Sequence, residues 1–252
     1  MINCQGSNVF IGPEAWAEFE RLIVELSDSG KKIYVLSDEN TSELCGQKLQ
    51  DKFGVFSDNI LIIEAGEASK NIEIAHHLWS EMLETGADRQ SILLNIGGGV
   101  VTDLGGFVAS TFKRGIPFVN IPTSLMGMAD AAIGGKCGID LGSAKNQVGT
   151  FTLPTSTLIM PEFLNTLLDV ELKSGFAECI KHGLLQGNSL WKEVVEQDPA
   201  NLNAEFLTQI VQVKIDVVNQ DPKEMGLRKS LNLGHTIGHA IESAAMQSGN
   251  PL

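Results

Sequence analysis

The chain has 252 residues, 43% of them hydrophobic and 19% charged, with a formal net charge of −13. That length suits one large or two modest domains with a real core. So acidic a surface repels phosphate backbones and argues against non-specific nucleic-acid binding, so an anionic substrate needs a local basic pocket. The four cysteines, Cys4, Cys45, Cys137 and Cys179, show no C-x-x-C spacing and read as reduced thiols of a cytoplasmic protein. The chain does not open on a basic stretch followed by an apolar run, so no signal peptide is expected. No apolar run reaches the ~18 residues of a membrane span.

In chain order, residues 32–36 form a short apolar strand that ends at Ser37-Asp38-Glu39-Asn40, and residues 59–63 form another. Between 69 and 85, Ile72, Ala75, Leu78, Trp79 and Met82 recur at helical spacing, with Gly86 as a stop. Residues 91–96 read as a buried strand running into Gly97-Gly98-Gly99, and 117–121 as the next strand. Strands alternating with helices imply a parallel sheet with crossovers. After residue 161 strand signals vanish, and 170–185, 206–221 and 236–245 read as helices. In the second of these, Phe206, Ile210, Val213 and Val217 make one apolar stripe. The expected architecture is an α/β nucleotide-binding half with a Rossmann-like parallel sheet, residues 1–160, followed by an all-α half, residues 161–252.

Several residues fit chemistry, each beside a plainer alternative. Gly97-Gly98-Gly99 between a strand and a helix offers free backbone N–H groups to a phosphate, or is simply a tight turn. Asp38 at a strand end suits a ribose, or caps the next helix. Glu67 and Lys70 flank another strand-to-helix junction. His235 and His239, four apart, share a helix face and suit a metal. Glu178 and Lys181, three apart, form an exposed ion pair or else a ligand and a substrate contact. Lys214 projects from the apolar side of its helix, where it snorkels or meets an anion. Arg228 and Asn232 lie close enough to His235 to line one pocket. Lys136 after Gly134-Gly135, and Lys145-Asn146 before Gly149, suit phosphate.

Taken in order, Gly97-Gly98-Gly99…Asp103, Arg114-Gly115, Ile121-Pro122-Thr123, Asp130…Gly134-Gly135-Lys136, Lys145-Asn146, Glu178…Lys181, Lys214, Arg228…Asn232 and Gly234-His235…Gly238-His239-Ala240…Glu242 resemble the 3-dehydroquinate synthases. The resemblance runs from about residue 34 to the end. It implies a dehydroquinate synthase-like fold with the site between the two halves, in a cytoplasmic homodimer of the shikimate pathway. The reaction it implies converts 3-deoxy-D-arabino-heptulosonate 7-phosphate to 3-dehydroquinate and phosphate, through transient oxidation by NAD, elimination, re-reduction and aldol closure. Carried onto this sequence, Glu178 and His235 would hold Zn²⁺ or Co²⁺. Asp38, Asn40, Glu67, Lys70, Gly98, Gly99, Asp103, Thr123, Ser124 and Lys145 would hold NAD, with Thr166, Leu167 and Glu171 on its far side. Asp130, Lys136, Lys181 and His239 would serve catalysis. Asn146, Lys214, Arg228 and Asn232 would bind substrate, with Arg114 reaching the neighbouring subunit's phosphate.

The family's third metal ligand is a His a dozen or more residues after His239, and no such His precedes Leu252. The chain is therefore expected to be clipped relative to the family. The alternatives are another sugar-phosphate cyclase of the same superfamily, whose substrates lack the carboxylate, and an inactive truncated NAD-binding fragment.

Overall fold

The computed structural model describes residues 1–54, 57–142 and 144–234, together with 237, 238, 241 and 245. The expected helix over 236–245, and with it His235 and His239, falls largely outside the described residues.

A seven-stranded sheet forms the centre. Its strands are β1 (Ile2–Cys4), β2 (Ser7–Ile11), β3 (Ile33–Asp38), β4 (Asn59–Ile63), β5 (Ile92–Gly97), β6 (Phe118–Pro122) and, after a separate ribbon, β9 (Ser156–Ile159). The spatial order is β1-β2-β9-β6-β5-β3-β4. Only the β1–β2 pair is antiparallel within this sheet. The ribbon is an antiparallel pair, β7 (Lys136–Leu141) and β8 (Ala144–Phe151), with a register shift between Ile139 and Leu141. Every residue of β5 is buried, as expected of a parallel strand covered on both faces.

Alternate strand residues feed two cores. Val35, Leu94, Ile96, Val119 and Ile121 pack on one face, against helix α1 (Pro13–Ser29) and the C-terminal helices. Tyr34, Leu36, Leu93 and Phe118 pack on the other, against α4 (Ile72–Glu84) and α5 (Gly99–Thr111). Between β3 and β4 the chain runs through α2 (Glu39–Thr41), a wide turn at Ser42–Gly46 and α3 (Gln47–Phe53). Helix α4 begins at Asn71, whose Oδ1 accepts the Ile74 N–H at 2.8 Å, a cap worth about 1 kcal/mol.

After β9 the described elements are helical: α6 (Asp169–Gln186), α7 (Asn188–Glu196), α8 (Ala204–Gln220) and a tight turn at Leu227–Asn232. The buried side of α8 is wider than one stripe. It takes in Phe206, Leu207, Ile210, Val211, Val213, Lys214, Ile215 and Val218, whereas Val217 is only half-buried. The first core cluster runs without a break from the sheet into these helices. At the edge strand, Gln5 bonds Asn219 through both its N–H and its side chain, tying β1 to the end of α8. Among the described residues no helix is long and apolar enough to cross a membrane.

Candidate functional site

In a sheet ordered β6-β5-β3-β4, the chain steps outward from β3 to β4 and returns on the other side of β3 as β5. The crevice outside the carboxyl ends of β3 and β5 is where such sheets bind ligands. The expected nucleotide residues fall at these carboxyl ends. Asp38 closes β3, Glu67 and Lys70 follow β4, Gly98 and Gly99 follow β5, and Thr123 and Ser124 follow β6. Helix α5 starts at Gly99, so its free N–H groups and positive dipole end face the same crevice.

The capping reading of Asp38 is visible. Its carboxylate caps α2, accepting from Thr41 N–H at 2.8 Å and from Thr41 Oγ1 at 3.0 Å. Asn40 is exposed beside it. Lys70 is buried, donates to Asp103 Oδ2 at 2.8 Å and lies 3.5 Å from Glu67 Oε1. Burial pushes the Asp103 carboxyl up to about 6, with Lys70 opposing it. Burial pulls the Lys70 ammonium down, but Asp103 and Glu67 outweigh it and the net shift is upward. The Lys70 carbonyl also accepts the Asp140 N–H at 2.8 Å, joining the ribbon to this crevice. Thr166 and Glu171 are exposed and Leu167 is half-buried, on the segment leading into α6.

A second group of residues gathers around Asp130. It sits in the helical turn Gly127–Ala131, which buried amides hold in place. Asn95 Nδ2 donates to Asn120 Oδ1 at 2.9 Å, and Asn120 Nδ2 passes the chain to Ala132 O at 3.2 Å. Thr157 Oγ1 reaches the same carbonyl at 3.2 Å. Helix α6 packs so closely on this turn that a Cβ on Gly175 would lie 2.6 Å from Met126 N. That approach points Glu178, Lys181 and His182, at i, i+3 and i+4, toward Asp130.

The ion pair of Glu178 and Lys181 is therefore buried, not the exposed pair a lone helix would show. Lys214 comes in from α8, is buried, and donates to Asp130 Oδ1 at 2.5 Å. It meets an anion and does not snorkel. Lys181 Nζ and His182 Nε2 each lie 3.7 Å from the same carboxylate oxygen. Burial raises the Asp130 carboxyl, but Lys214, His182 and Lys181 together take it well below the usual range. Burial lowers the Lys214 ammonium, Asp130 resists, and Lys181 and Arg228 add to the lowering.

Sequence reasoning missed His182. It is fully buried, and its Nδ1 lies 3.1 Å from the Ile210 carbonyl. A carbonyl only accepts, so Nδ1 carries a proton, and Nε2 is the ring nitrogen that faces Asp130. Nε2 has no hydrogen-bond partner. Asp130, Glu178 and His182 bring two oxygens and a nitrogen within 4.8 Å of one another. This is divalent-metal donor chemistry, and the N–H on a backbone carbonyl is the usual support of a ligating imidazole. The residues present thus fit a divalent cation. The i, i+4 spacing of Glu178 and His182 is the signal that could have found it.

Other expected residues lie apart. Arg228 is 1% exposed and spends its guanidinium on backbone, NH1 to Pro222 O at 2.7 Å and NH2 to Gly134 O at 2.9 Å. Lys136 pairs with Glu224, which also accepts from Asn232 Nδ2 at 2.7 Å. Asn146 takes φ 56° and gives its N–H to Asp140 Oδ1 at 2.7 Å, while Lys145 is half-buried next to it. Arg114 is exposed at φ 73°.

Residues 60–174 match the family model described as 3-dehydroquinate synthase N-terminal, and residues 175–250 the one described as 3-dehydroquinate synthase C-terminal. The chain is 37% identical over 246 residues to a 3-dehydroquinate synthase of Symbiobacterium thermophilum, covering 94% of this chain and 68% of that protein. The chain belongs to the 3-dehydroquinate synthase family. It is also 43% identical over 225 residues to the 3-dehydroquinate synthase of Parabacteroides distasonis, covering 88% of this chain and 64% of that protein. This member therefore spans about two thirds of the length of the relatives it matches.

Solved structures carry the same fold. A 2-epi-5-epi-valiolone synthase from Streptomyces hygroscopicus subsp. jinggangensis, with NAD⁺ and Zn²⁺ bound, is 29% identical with a TM-score of 0.74, covering 97% of this chain and 70% of its own. A 2-deoxy-scyllo-inosose synthase complexed with carbaglucose-6-phosphate, NAD⁺ and Co²⁺ has a TM-score of 0.82 at 24% identity, covering 95% of this chain and 68% of its own. At that identity the second likeness bears on the fold alone.

Proposed function

We propose that the chain is the greater part of a cytoplasmic 3-dehydroquinate synthase, a phosphate-eliminating carbon–oxygen lyase of the shikimate pathway. It acts on 3-deoxy-D-arabino-heptulosonate 7-phosphate, with NAD and Zn²⁺ or Co²⁺, as a homodimer. The division into a nucleotide-binding half, residues 1–160, and a metal- and substrate-binding half, residues 161–252, belongs to the same reading. The observation that carries it is the cluster of buried Lys181, Lys214, Glu178 and His182 around the half-buried Asp130. An acidic chain has brought Lys181 and Lys214 together, with Arg228 near enough to act on Lys214, beside strand ends suited to a nucleotide, and an anionic sugar-acid phosphate requires such cations.

In this reading Asp38 and Asn40 face the ribose end of NAD, and Gly98 and Gly99 admit its pyrophosphate to the start of α5. Glu67, Lys70, Asp103, Thr123, Ser124 and Lys145 line its path, and Thr166, Leu167 and Glu171 close the far side. Glu178, with His235, holds the metal, and Asp130 and His182 are the donors beside it. When bound, NAD supplies reversible hydride acceptance and the metal polarises the hydroxyl being oxidised. The protein's own residues hold and neutralise. Lys214 and Arg228 face the carboxylate. Lys136, Asn146 and His239 face the phosphate, and Asn232 lies between them. Asp130 and Lys181 orient the ring hydroxyls. Arg114, exposed on its turn, reaches across the dimer.

The test is phosphate release from the heptulosonate phosphate with NAD⁺ and Co²⁺, by a form extended past Leu252. A hexose 6-phosphate, which lacks the carboxylate, serves as the competing substrate. Release from the former alone is expected. Release from the hexose phosphate alone would point to a sister cyclase, and release from neither to an inactive nucleotide-binding fragment.

A further inference from the structure

Lys136, an expected phosphate contact, and Asn232, an expected substrate contact, are already engaged by an anion of the protein's own. The Glu224 carboxylate pairs with Lys136 through Oε2 and accepts from Asn232 Nδ2 through Oε1 at 2.7 Å. Lys136 opens the ribbon at β7, and Asn232 closes the turn after α8. One carboxylate thus joins residues almost a hundred positions apart in sequence. The Arg228 guanidinium lies near enough to add its field. Burial pushes the Glu224 carboxyl up, but Lys136, Asn232 and Arg228 hold it below its ordinary value.

Glu224 is held there by its loop. It adopts φ +57°, a left-handed conformation that side-chain-bearing residues take only when their surroundings impose it. The surroundings are the Asp221 carboxylate, which accepts the N–H of Met225 at 2.8 Å, of Gly226 at 2.7 Å and of Arg228 at 3.0 Å. Arg228 then clamps the loop to the ribbon through Pro222 O and Gly134 O. The side chain of Lys136 is 43% exposed and that of Glu224 19%, so an incoming ligand reaches the pair from solvent.

We propose that Glu224 is a built-in counter-anion: it holds Lys136 and Asn232 together while no substrate is bound, and the substrate's phosphoryl group displaces it from them. The proposal rests on the reading of Lys136 and Asn232 as substrate contacts. A phosphate dianion offers more charge and more acceptor oxygens than a carboxylate, so it takes over both donors. Glu224 is then a positioning residue. It keeps two cationic and polar side chains gathered at a cost in phosphate affinity, and gives the site a preference for a ligand carrying two negative charges over one.

The sign of the effect separates this role from a merely structural one. The probe is inorganic phosphate, titrated by calorimetry into the full chain, its Glu224→Gln variant and its Lys136→Ala variant, each checked for native circular dichroism. Glu224→Gln keeps the bond from Asn232 and removes the competing charge. A partly exposed ion pair of this kind competes by roughly three- to ten-fold. Phosphate is therefore expected to bind about three- to ten-fold tighter to Glu224→Gln than to the unaltered chain, and weaker to Lys136→Ala. Equal or weaker binding by Glu224→Gln, with Lys136→Ala still weakened, overturns the counter-anion and leaves the phosphate site standing. Lys136→Ala binding as well as the unaltered chain overturns both. No phosphate binding by any of the three also overturns the proposal. If Glu224→Gln fails to fold, Glu224→Asp, which keeps the charge but falls short of Lys136, is expected to show the same tightening to a smaller degree, and its absence counts against the proposal.

Discussion

Lys214→Met tests whether the Asp130 cluster is an electrostatic unit. The substitution keeps most of the buried stem and removes the ammonium that donates to Asp130 at 2.5 Å. Breaking a buried pair by deleting one partner costs about 3–5 kcal/mol, because the other charge stays buried. Here Asp130 retains Lys181 and His182, each at 3.7 Å, so the loss is expected to be smaller, about 2–3 kcal/mol. Asp130→Asn strands Lys214 instead and should cost a similar amount. The double variant removes both charges and should cost little more than either alone, giving a coupling energy of about 2 kcal/mol. Urea unfolding of the four proteins, followed by circular dichroism with a common slope, measures each term. Additivity of the two single effects to within about 0.5 kcal/mol would refute the reasoning, because independent residues add and a buried ion pair does not.

Two further outcomes follow from the geometry. Asp103, raised from 3.8 to about 6, favours its protonated form in the folded state. Its contribution is complete below the unfolded value and is lost as pH rises through about 6, so relative to Asp103→Asn the stability should fall by about 2.5 kcal/mol from roughly pH 4 to roughly pH 7.5. A flat difference across that range in denaturant melts would contradict the raised carboxyl. Gly175→Ala would force a Cβ to within 2.6 Å of Met126 N and 2.7 Å of Leu125 Cβ. It should cost about 1–3 kcal/mol and loosen metal retention, because the shift of α6 also moves Glu178. A variant as stable as the unaltered chain would show that the approach is not tight.

The parallel strands were legible because a strand covered on both faces must be mostly apolar, and β3, β5 and β6 are, with Asn95, Asn120 and the Ser37-Asp38 end as their polar positions. Their ends were legible too. A glycine run after β5, and Asp38 after β3, announce strand-to-helix junctions whatever the tertiary contacts. The β7–β8 ribbon was not read as strands, because most of β8 is exposed and neither strand alternates cleanly enough to signal a buried face. Strands β1 and β2 are short, and what fixes them is pairing with β9 and the bonds to Asn219, both remote in sequence. Lys214 stood out because a cation on an apolar helix face needs a partner. His182 did not, because an imidazole among apolar residues packs like its neighbours, and only the Ile210 carbonyl and Asp130, brought in by folding, give it a direction. The burial of Glu178 and Lys181 likewise depends on the glycine contact that seats α6 on the turn carrying Asp130.

The central claim is a phosphate elimination in which NAD is used and restored within each turnover. The most direct measurement follows phosphate and the near-ultraviolet absorbance of NADH together, in the extended form supplied with NAD⁺, Co²⁺ and the heptulosonate phosphate. The account predicts many phosphates released per bound NAD with no net NADH. NADH accumulating in step with product, as a simple dehydrogenase of this fold would give, contradicts it.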